Sequence, residues 1–277
     1  MKLHQPEDEF IDGGEPNQPR LPARRADLWF AAAPCVLFGL LVALCVAAGA
    51  DLPTSSCFYC PEQQAWPLAE AEPWGTLYRY GCVPAIVVGS FGLLFGLIGI
   101  ASPSRREWRR PGLFLAATLL LGPGLMINLV LKPGVGRPRP KETTHFGGAM
   151  QFGYVGGATA AEQSRSFPSG HASMGFFFMT PALLLYRRRP GVAAAVLGGG
   201  IAYGALMSLA RIAQGAHFVT DVLSSALLVY LSALIVLAVG EAVSLAKARW
   251  LRRLTVARAT SVEPPRDSLT APARKAA

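Results

Sequence analysis

Six apolar runs dominate the chain and leave little freedom in how it can fold. They cover Leu28 to Ala50, Cys82 to Ala101, Gly112 to Leu131, Ala172 to Tyr186, Gly191 to Ala210 and Val222 to Val243. Most approach the ~20 residues that a helix needs to cross a hydrocarbon layer ~30 Å thick, where every backbone N–H and C=O must find its partner within the segment. A soluble domain of 277 residues, 52% apolar and 16% charged, would struggle to cover that much apolar surface. The predicted fold is all-α, a polytopic membrane domain of six transmembrane helices over residues 28–245, with a polar tail at 1–27 and a basic tail at 246–277. The fourth run is short. It spans only if its helix starts at Ser169 and Arg187 to Arg189 snorkel into the headgroups. The first run follows a polar tail and is too long for a signal h-region, so it is expected to remain as a span.

The net charge of +9 is compatible with nucleic acid, an anionic membrane or a phosphorylated ligand, and placement decides between them. With the N-terminus cytoplasmic, most of the 26 basic residues fall in inner segments: Lys2, Arg20, Arg24 and Arg25, then Arg105, Arg106, Arg109 and Arg110, then Arg187 to Arg189, then the C-terminal tail. That distribution is what topology demands of a membrane protein with both termini cytoplasmic, and it predicts no nucleic-acid partner. Residues 1–27 and the stretch after Val262 have the composition of disordered tails.

The outer loop from Asp51 to Gly81 carries Trp66, Trp74, Tyr78 and Tyr80, which suit a membrane interface. Its Cys57 and Cys60 have the spacing of half a zinc or redox site, but no second pair or histidine cluster stands near them. A disulfide, with Cys82 as a further partner, is the stronger expectation in an oxidising compartment. In the fifth run Gly200 and Gly204 form a small-xxx-small pair suited to close helix contact.

Three of the remaining outer segments carry chemistry. Lys132 to Pro140 reads Lys-Pro-Gly-Val-Gly-Arg-Pro-Arg-Pro, a rigid stretch that holds several cations toward one anion or, on the plainer reading, toward headgroups. Pro168-Ser169-Gly170-His171 precedes an apolar helix: Ser169 can cap it, Gly170 can admit a ligand to the backbone, and His171 can titrate beside that anion site. Arg211, His217 and Asp221 follow, the last two spaced to share a helical face, where a carboxylate would fix the imidazole tautomer and stabilise its cation. An ion pair at a helix start is the alternative. One pocket holding Lys132, Arg139, Arg211 and two histidines suits phosphoryl transfer: cations neutralise the equatorial oxygens, one histidine attacks in line and the other protonates the leaving oxygen. Clustered carboxylates and paired histidine ligands are lacking in the outer loops, so no metal and no cofactor is expected.

The motifs Lys-x6-Arg-Pro within residues 132–140, Pro-Ser-Gly-His at 168–171 and Arg-x5-His-x3-Asp at 211–221 resemble the three-part signature of the type 2 phosphatidic acid phosphatase superfamily. That superfamily also contains vanadium haloperoxidases and glucose-6-phosphatase-like enzymes. The resemblance implies His217 as nucleophile, Asp221 as its partner and His171 as acid. It implies phosphate binding by Lys132, Arg139, Ser169, Gly170 and Arg211. Ala210 departs from the serine common before the arginine, and the choice of Arg139 over Arg137 rests on family spacing. Thr144 to Gly148 and Gln214 to Phe218 resemble bacterial lipid A phosphatases; His145, within the first of these, stays outside the catalytic set.

The reading is a metal-independent membrane lipid phosphatase acting at the periplasmic face on a phosphomonoester or diphosphate headgroup. Undecaprenyl diphosphate, phosphatidylglycerophosphate or phosphatidic acid are alternative substrates, and phosphotransfer to a lipid hydroxyl is a related reaction. A non-catalytic transporter or scaffold holding an anion is the alternative of another class. Headgroup and oligomeric state are open at this point.

Overall fold

A computed structural model describes residues 25–153 and 164–262, with side chains from 30 to 153 and 164 to 255. Most of the N-terminal tail and the stretch after Val262 lie outside the described residues, so the expectation of disorder there has no counterpart below. Helix α1 (Arg25–Ala47) begins just inside the tail predicted at 1–27 and is followed by the short α2 (Asp51–Ser56). Then come α3 (Trp74–Tyr80), α4 (Val83–Ala101) and α5 (Arg106–Leu119). α5 continues as a π-helical stretch, Leu120–Leu131, into α6 (Lys132–Val135). α7 (Gly170–Phe176), α8 (Ala182–Leu185), α9 (Pro190–Ala213) and α10 (Val219–Val262) complete the order. Among the described residues the only strand-like pairings are isolated bridges, Cys60 with Ala65 and Thr143 with Met150.

Among the described residues, five helical stretches are long and apolar enough to cross a membrane: Phe30–Ala47, Trp74–Ala101, Pro103–Glu142, Pro190–Ala213 and Val219–Thr255. The predicted fourth span is instead a shorter apolar stretch, Gly170–Leu185. A 3-10 turn at Phe177–Met179 and Pro181 interrupt it, and Thr180 donates its hydroxyl to the Phe177 carbonyl at 2.8 Å. Ala172, Phe176, Phe177, Met179, Ala182 and Leu183 of this stretch are buried, so it runs through the middle of the bundle. Its neighbours supply the enclosure that a lipid-facing helix would need from its own regularity.

Packing follows from small residues. Along the α4–α5 contact a Cβ on Gly96 would stand 3.0 Å from the Leu113 backbone nitrogen, and one on Gly99 would stand 2.9 Å from the Arg105 carbonyl. α9 approaches α7 as the Gly200 and Gly204 spacing anticipates: a Cβ on Gly175 would stand 2.9 Å from the Gly204 Cα, and one on Gly204 would overlap the Phe176 ring. Phe38, Phe114, Phe176, Met179, Val222 and Tyr230 join α1, α5, α7 and α10 in the main core. Leu40, Leu44, Phe91, Leu97, Leu129, Ile235 and Val239 remain exposed, the outward apolar surface of a chain whose solvent is lipid.

Two departures from regularity bear on the site. The third span is not a uniform α-helix, because Pro123 lacks an N–H to donate and the turns widen around it. Asn128 donates its side-chain amide to the Pro123 carbonyl at 2.7 Å, and its oxygen would lie 2.9 Å from a Cβ on Gly170. α10 runs unbroken past the end of the domain predicted at 245, since Ala, Leu, Lys and Arg are all good helix formers.

Candidate active site

The three signature segments and the first outer loop meet at one end of the bundle. Lys132 opens α6 at the end of the π-helical stretch, and Gly136, in the left-handed region at φ 61°, turns the chain so that Arg137, Pro138 and Arg139 run extended across the helix ends. Ser169 caps α7 by accepting the Ala172 N–H at 3.4 Å, as its position before the apolar run implies. Ser169 and Gly170 are buried, and His171, on the first turn, is half-buried. Arg211 ends α9, and Asp221 lies in the first turn of α10.

His217 and Asp221 do not share a helical face, contrary to the spacing argument. Gly215, at φ 61°, turns the chain after α9, and His217 sits ahead of α10, which begins at Val219. Asp221 reaches back to accept the Phe218 N–H at 2.8 Å, as a carboxylate at the third position of a helix does for its N-cap. That places its Oδ2 3.8 Å from His217 Nδ1, an ion-pair separation rather than a hydrogen bond. His217 is 2% exposed. Burial pushes its pKa down to about 4 against the pull of Asp221, so the ring is neutral at pH 7. His171 makes a hydrogen bond from Nε2 to the Tyr78 carbonyl at 3.2 Å. Each histidine feels the charges of Lys132 and Arg211.

The cations converge. Lys132 lies in the electrostatic range of Arg139, Arg211, Arg165 and Asp221, and Arg211 in that of Arg139. Arg211 stacks over Tyr78 with its guanidinium carbon 4.5 Å from the ring centre, and it donates to Gln214 Oε1. Gln214 in turn donates to the Ala69 and Trp74 carbonyls, both at 3.1 Å. The Nε groups of Arg139 and Arg211 and the Nδ1 of His217 are buried with no hydrogen-bond partner. Buried unpaired N–H groups are costly, and the two guanidinium Nε groups are donors that an acceptor-rich anion such as phosphate can satisfy.

Arg137 has a different surrounding from Arg139, which settles how the two Arg-Pro pairs differ. Arg137 is 2% exposed and donates to Asp51 Oδ2 at 2.6 Å, to Thr220 Oγ1 at 2.8 Å, to the Gly153 carbonyl at 3.0 Å and to Asp221 Oδ1. It is committed to protein partners, whereas the Arg139 side chain is about one-third exposed. Of the residues around the candidate site, Ser166 and Thr220 went unmarked in the sequence, and Asp51, Arg137, Tyr78 and Gln214 were named there without a role in it. An aspartate at the very end of an apolar run was the available signal for Asp51.

Two expectations for the outer loop need revision. Cys57 and Cys60 are free: the Cys57 thiol donates to the Pro53 carbonyl and the Cys60 thiol to Glu62. Cys82 is also free, because it lies at the start of α4 and not beside them in the loop. Tyr59 and Trp66, rather than facing a membrane, pack with Phe146 at ring-centre distances of 5.3 to 5.4 Å, and Trp66 covers Gly215. His145 lies edge-on to Phe152 at 6.2 Å. No group of three His, Cys, Asp or Glu side chains able to hold a metal occurs among the described residues.

The chain is similar to several known proteins. The sequence profile of the PAP2 superfamily matches residues 111–244. A lipid A 4'-phosphatase of Francisella tularensis subsp. novicida (strain U112) is 36% identical over 138 residues, 48% of this chain and 59% of that protein. A lipid A 4'-phosphatase of Rhizobium leguminosarum is 40% identical over 123 residues, 44% of this chain and 49% of that protein. The chain thus matches about half to three-fifths of the length of these relatives. A solved transmembrane PAP2-type phosphatidylglycerolphosphate phosphatase from Bacillus subtilis superposes with a TM-score of 0.45 at 21% identity, covering 77% of this chain and 96% of that one. The residues that match the PAP2 superfamily, 111–244, hold all three signature segments.

Proposed function

We propose that this chain is a membrane lipid phosphatase that removes phosphate from a lipid headgroup through a phosphohistidine on His217. The observation that carries the reading is the convergence, at one end of an apolar bundle, of Lys132, Arg139 and Arg211 with a buried neutral His217 backed by Asp221. In the first step the lone pair on Nε2 of His217 forms a bond to phosphorus while the ester P–O bond breaks. Nδ1 carries the ring proton toward Asp221, and His171 gives its proton to the departing oxygen. In the second step His171, now neutral, takes a proton from water, whose oxygen attacks phosphorus and breaks the N–P bond, releasing inorganic phosphate. The cations offset the charge on the equatorial oxygens, with the buried Nε groups of Arg139 and Arg211 as donors. Ser169 and Gly170 hold the start of α7 against this pocket. No step calls for a metal.

The substrate proposed is lipid A, which the names of the relatives carry. With Gly170–Leu185 counted as a sixth crossing and the basic segments inward, both termini lie in the cytoplasm and the pocket faces the periplasm. The test is phosphate release from lipid A, undecaprenyl diphosphate, phosphatidylglycerophosphate and phosphatidic acid in detergent micelles by the purified chain and by His217→Ala. Loss of release in the variant by a factor of about 10³ or more is expected. Equal release by both would refute the reading, and transfer of a labelled phosphoryl group to an acceptor lipid would reassign the chain as a phosphotransferase.

A further inference from the structure

We infer that Asp51, which lies outside the residues that match the superfamily, is a positioning residue for the reaction: it neutralises Arg137 so that Asp221 can present a net negative charge to His217. The inference rests on the proposed role of His217 and asks what lets Asp221 serve it.

Asp51, Arg137 and Asp221 are each no more than 2% exposed, and one guanidinium joins both carboxylates. Arg137 alone would cancel the charge of Asp221, which already spends its other oxygen accepting the Ser166 hydroxyl at 2.5 Å and the Phe218 N–H at 2.8 Å. An Asp221 cancelled in this way would offer little to the imidazolium formed when His217 takes the phosphoryl group. The second carboxylate changes the count. Two carboxylates and one guanidinium leave a buried cluster at −1, and the phosphorylated His217 ring, positive through its Nδ1–H, brings that to zero. Buried charges are tolerated when paired and are costly when one partner is missing.

Asp51 is held for this purpose by groups of the catalytic segment itself. Its Oδ1 accepts the Thr220 N–H at 3.0 Å, and Oδ2 accepts the Thr220 hydroxyl at 2.8 Å. Thr220 is the residue next to Asp221, so the loop after α1 is bonded directly to the start of α10. A group serving only to pin a loop would need a donor or two. Here a carboxylate sits against the one cation that also touches the histidine's partner.

The charge count gives a test that separates this role from a structural one. In Asp51→Asn the cluster becomes neutral, and kcat for lipid A in detergent micelles is expected to fall about a hundredfold. KM should stay within about threefold, because the phosphate-binding cations are untouched. In Arg137→Gln the cluster becomes −2, with unpaired buried carboxylates. The double variant Asp51→Asn with Arg137→Gln returns to −1 and is expected to be at least about tenfold more active than Asp51→Asn and to keep at least about one-tenth of wild-type kcat. A structural role would make the double variant as poor as, or poorer than, the worse single variant, and that result overturns the inference. If a single variant fails to fold, the double variant decides alone: activity below about one-hundredth of wild type overturns the proposal. Wild type and His217→Ala run alongside. Equal rates for those two refute the functional reading, whereas a dead His217→Ala beside an unimpaired Asp51→Asn refutes only the role of Asp51.

Discussion

Replacing Asp221 with asparagine removes one charge and almost no volume, so it isolates what the carboxylate does for His217. The oxygen facing the ring is 3.8 Å from Nδ1. A unit charge at that distance from an imidazolium, in an effective dielectric of about 20, contributes about 4 kcal/mol. Arg137 opposes that attraction and Asp51 offsets Arg137, so most of it should survive in the transition state. Its loss corresponds to a fall in kcat of about three powers of ten. Initial rates of phosphate release, measured in micelles across a range of substrate concentrations, give kcat and KM separately. KM should change little because Lys132, Arg139 and Arg211 remain, while thermal melting monitors the cost to the Arg137 cluster. A kcat within about tenfold of wild type, in protein that still folds, would refute the electrostatic role.

Two further outcomes are expected. Burial holds His217 near a pKa of about 4, which suits a neutral nucleophile, whereas His171 must carry a proton to act as the acid. A bound phosphate dianion favours the cationic form of His171 and raises its pKa, so the alkaline limb of kcat should lie at higher pH than that of kcat/KM; coincident limbs would refute His171 as the acid. Gly204→Leu drives a side chain into the Phe176 ring and should lower the free energy of unfolding by about 1–3 kcal/mol or more, whereas Gly198→Ala, with nothing within 4 Å, should be neutral or mildly stabilising. Melting of the two variants in one detergent checks the contrast.

How much of this was legible beforehand depended on the range of the interactions. Membrane helices announce themselves because each satisfies its own backbone and needs only length and apolarity, so five crossings were evident from the runs alone. The Gly170–Leu185 stretch differed because Pro181 and burial within the bundle, not lipid, set its form. Likewise Pro123 was in plain view, but the π-helical turns it causes depend on Asn128 answering its carbonyl from one turn away. In the candidate site, motif spacing singled out Lys132, Ser169, His171, Arg211, His217 and Asp221, each of which lies beside a helix end. It paired His217 with Asp221 through a shared helical face, whereas the turn at Gly215 keeps the ring off the helix. Asp51 could not be found in this way: its partner Arg137 is far along the chain, and only the folded bundle brings them together. The disulfide expectation failed for a related reason, since Cys57 and Cys60 each met a closer acceptor in the loop.

The central claim is a covalent N–P bond at His217. Acid-labile, base-stable label retained on the protein after rapid mixing with a radiolabelled lipid phosphate and quenching in base tests it most directly, with peptide mapping to locate the label. A phosphoryl group on His217, absent in His217→Ala, is the result expected. Full turnover with no trapped label, or label on any other residue, would contradict it.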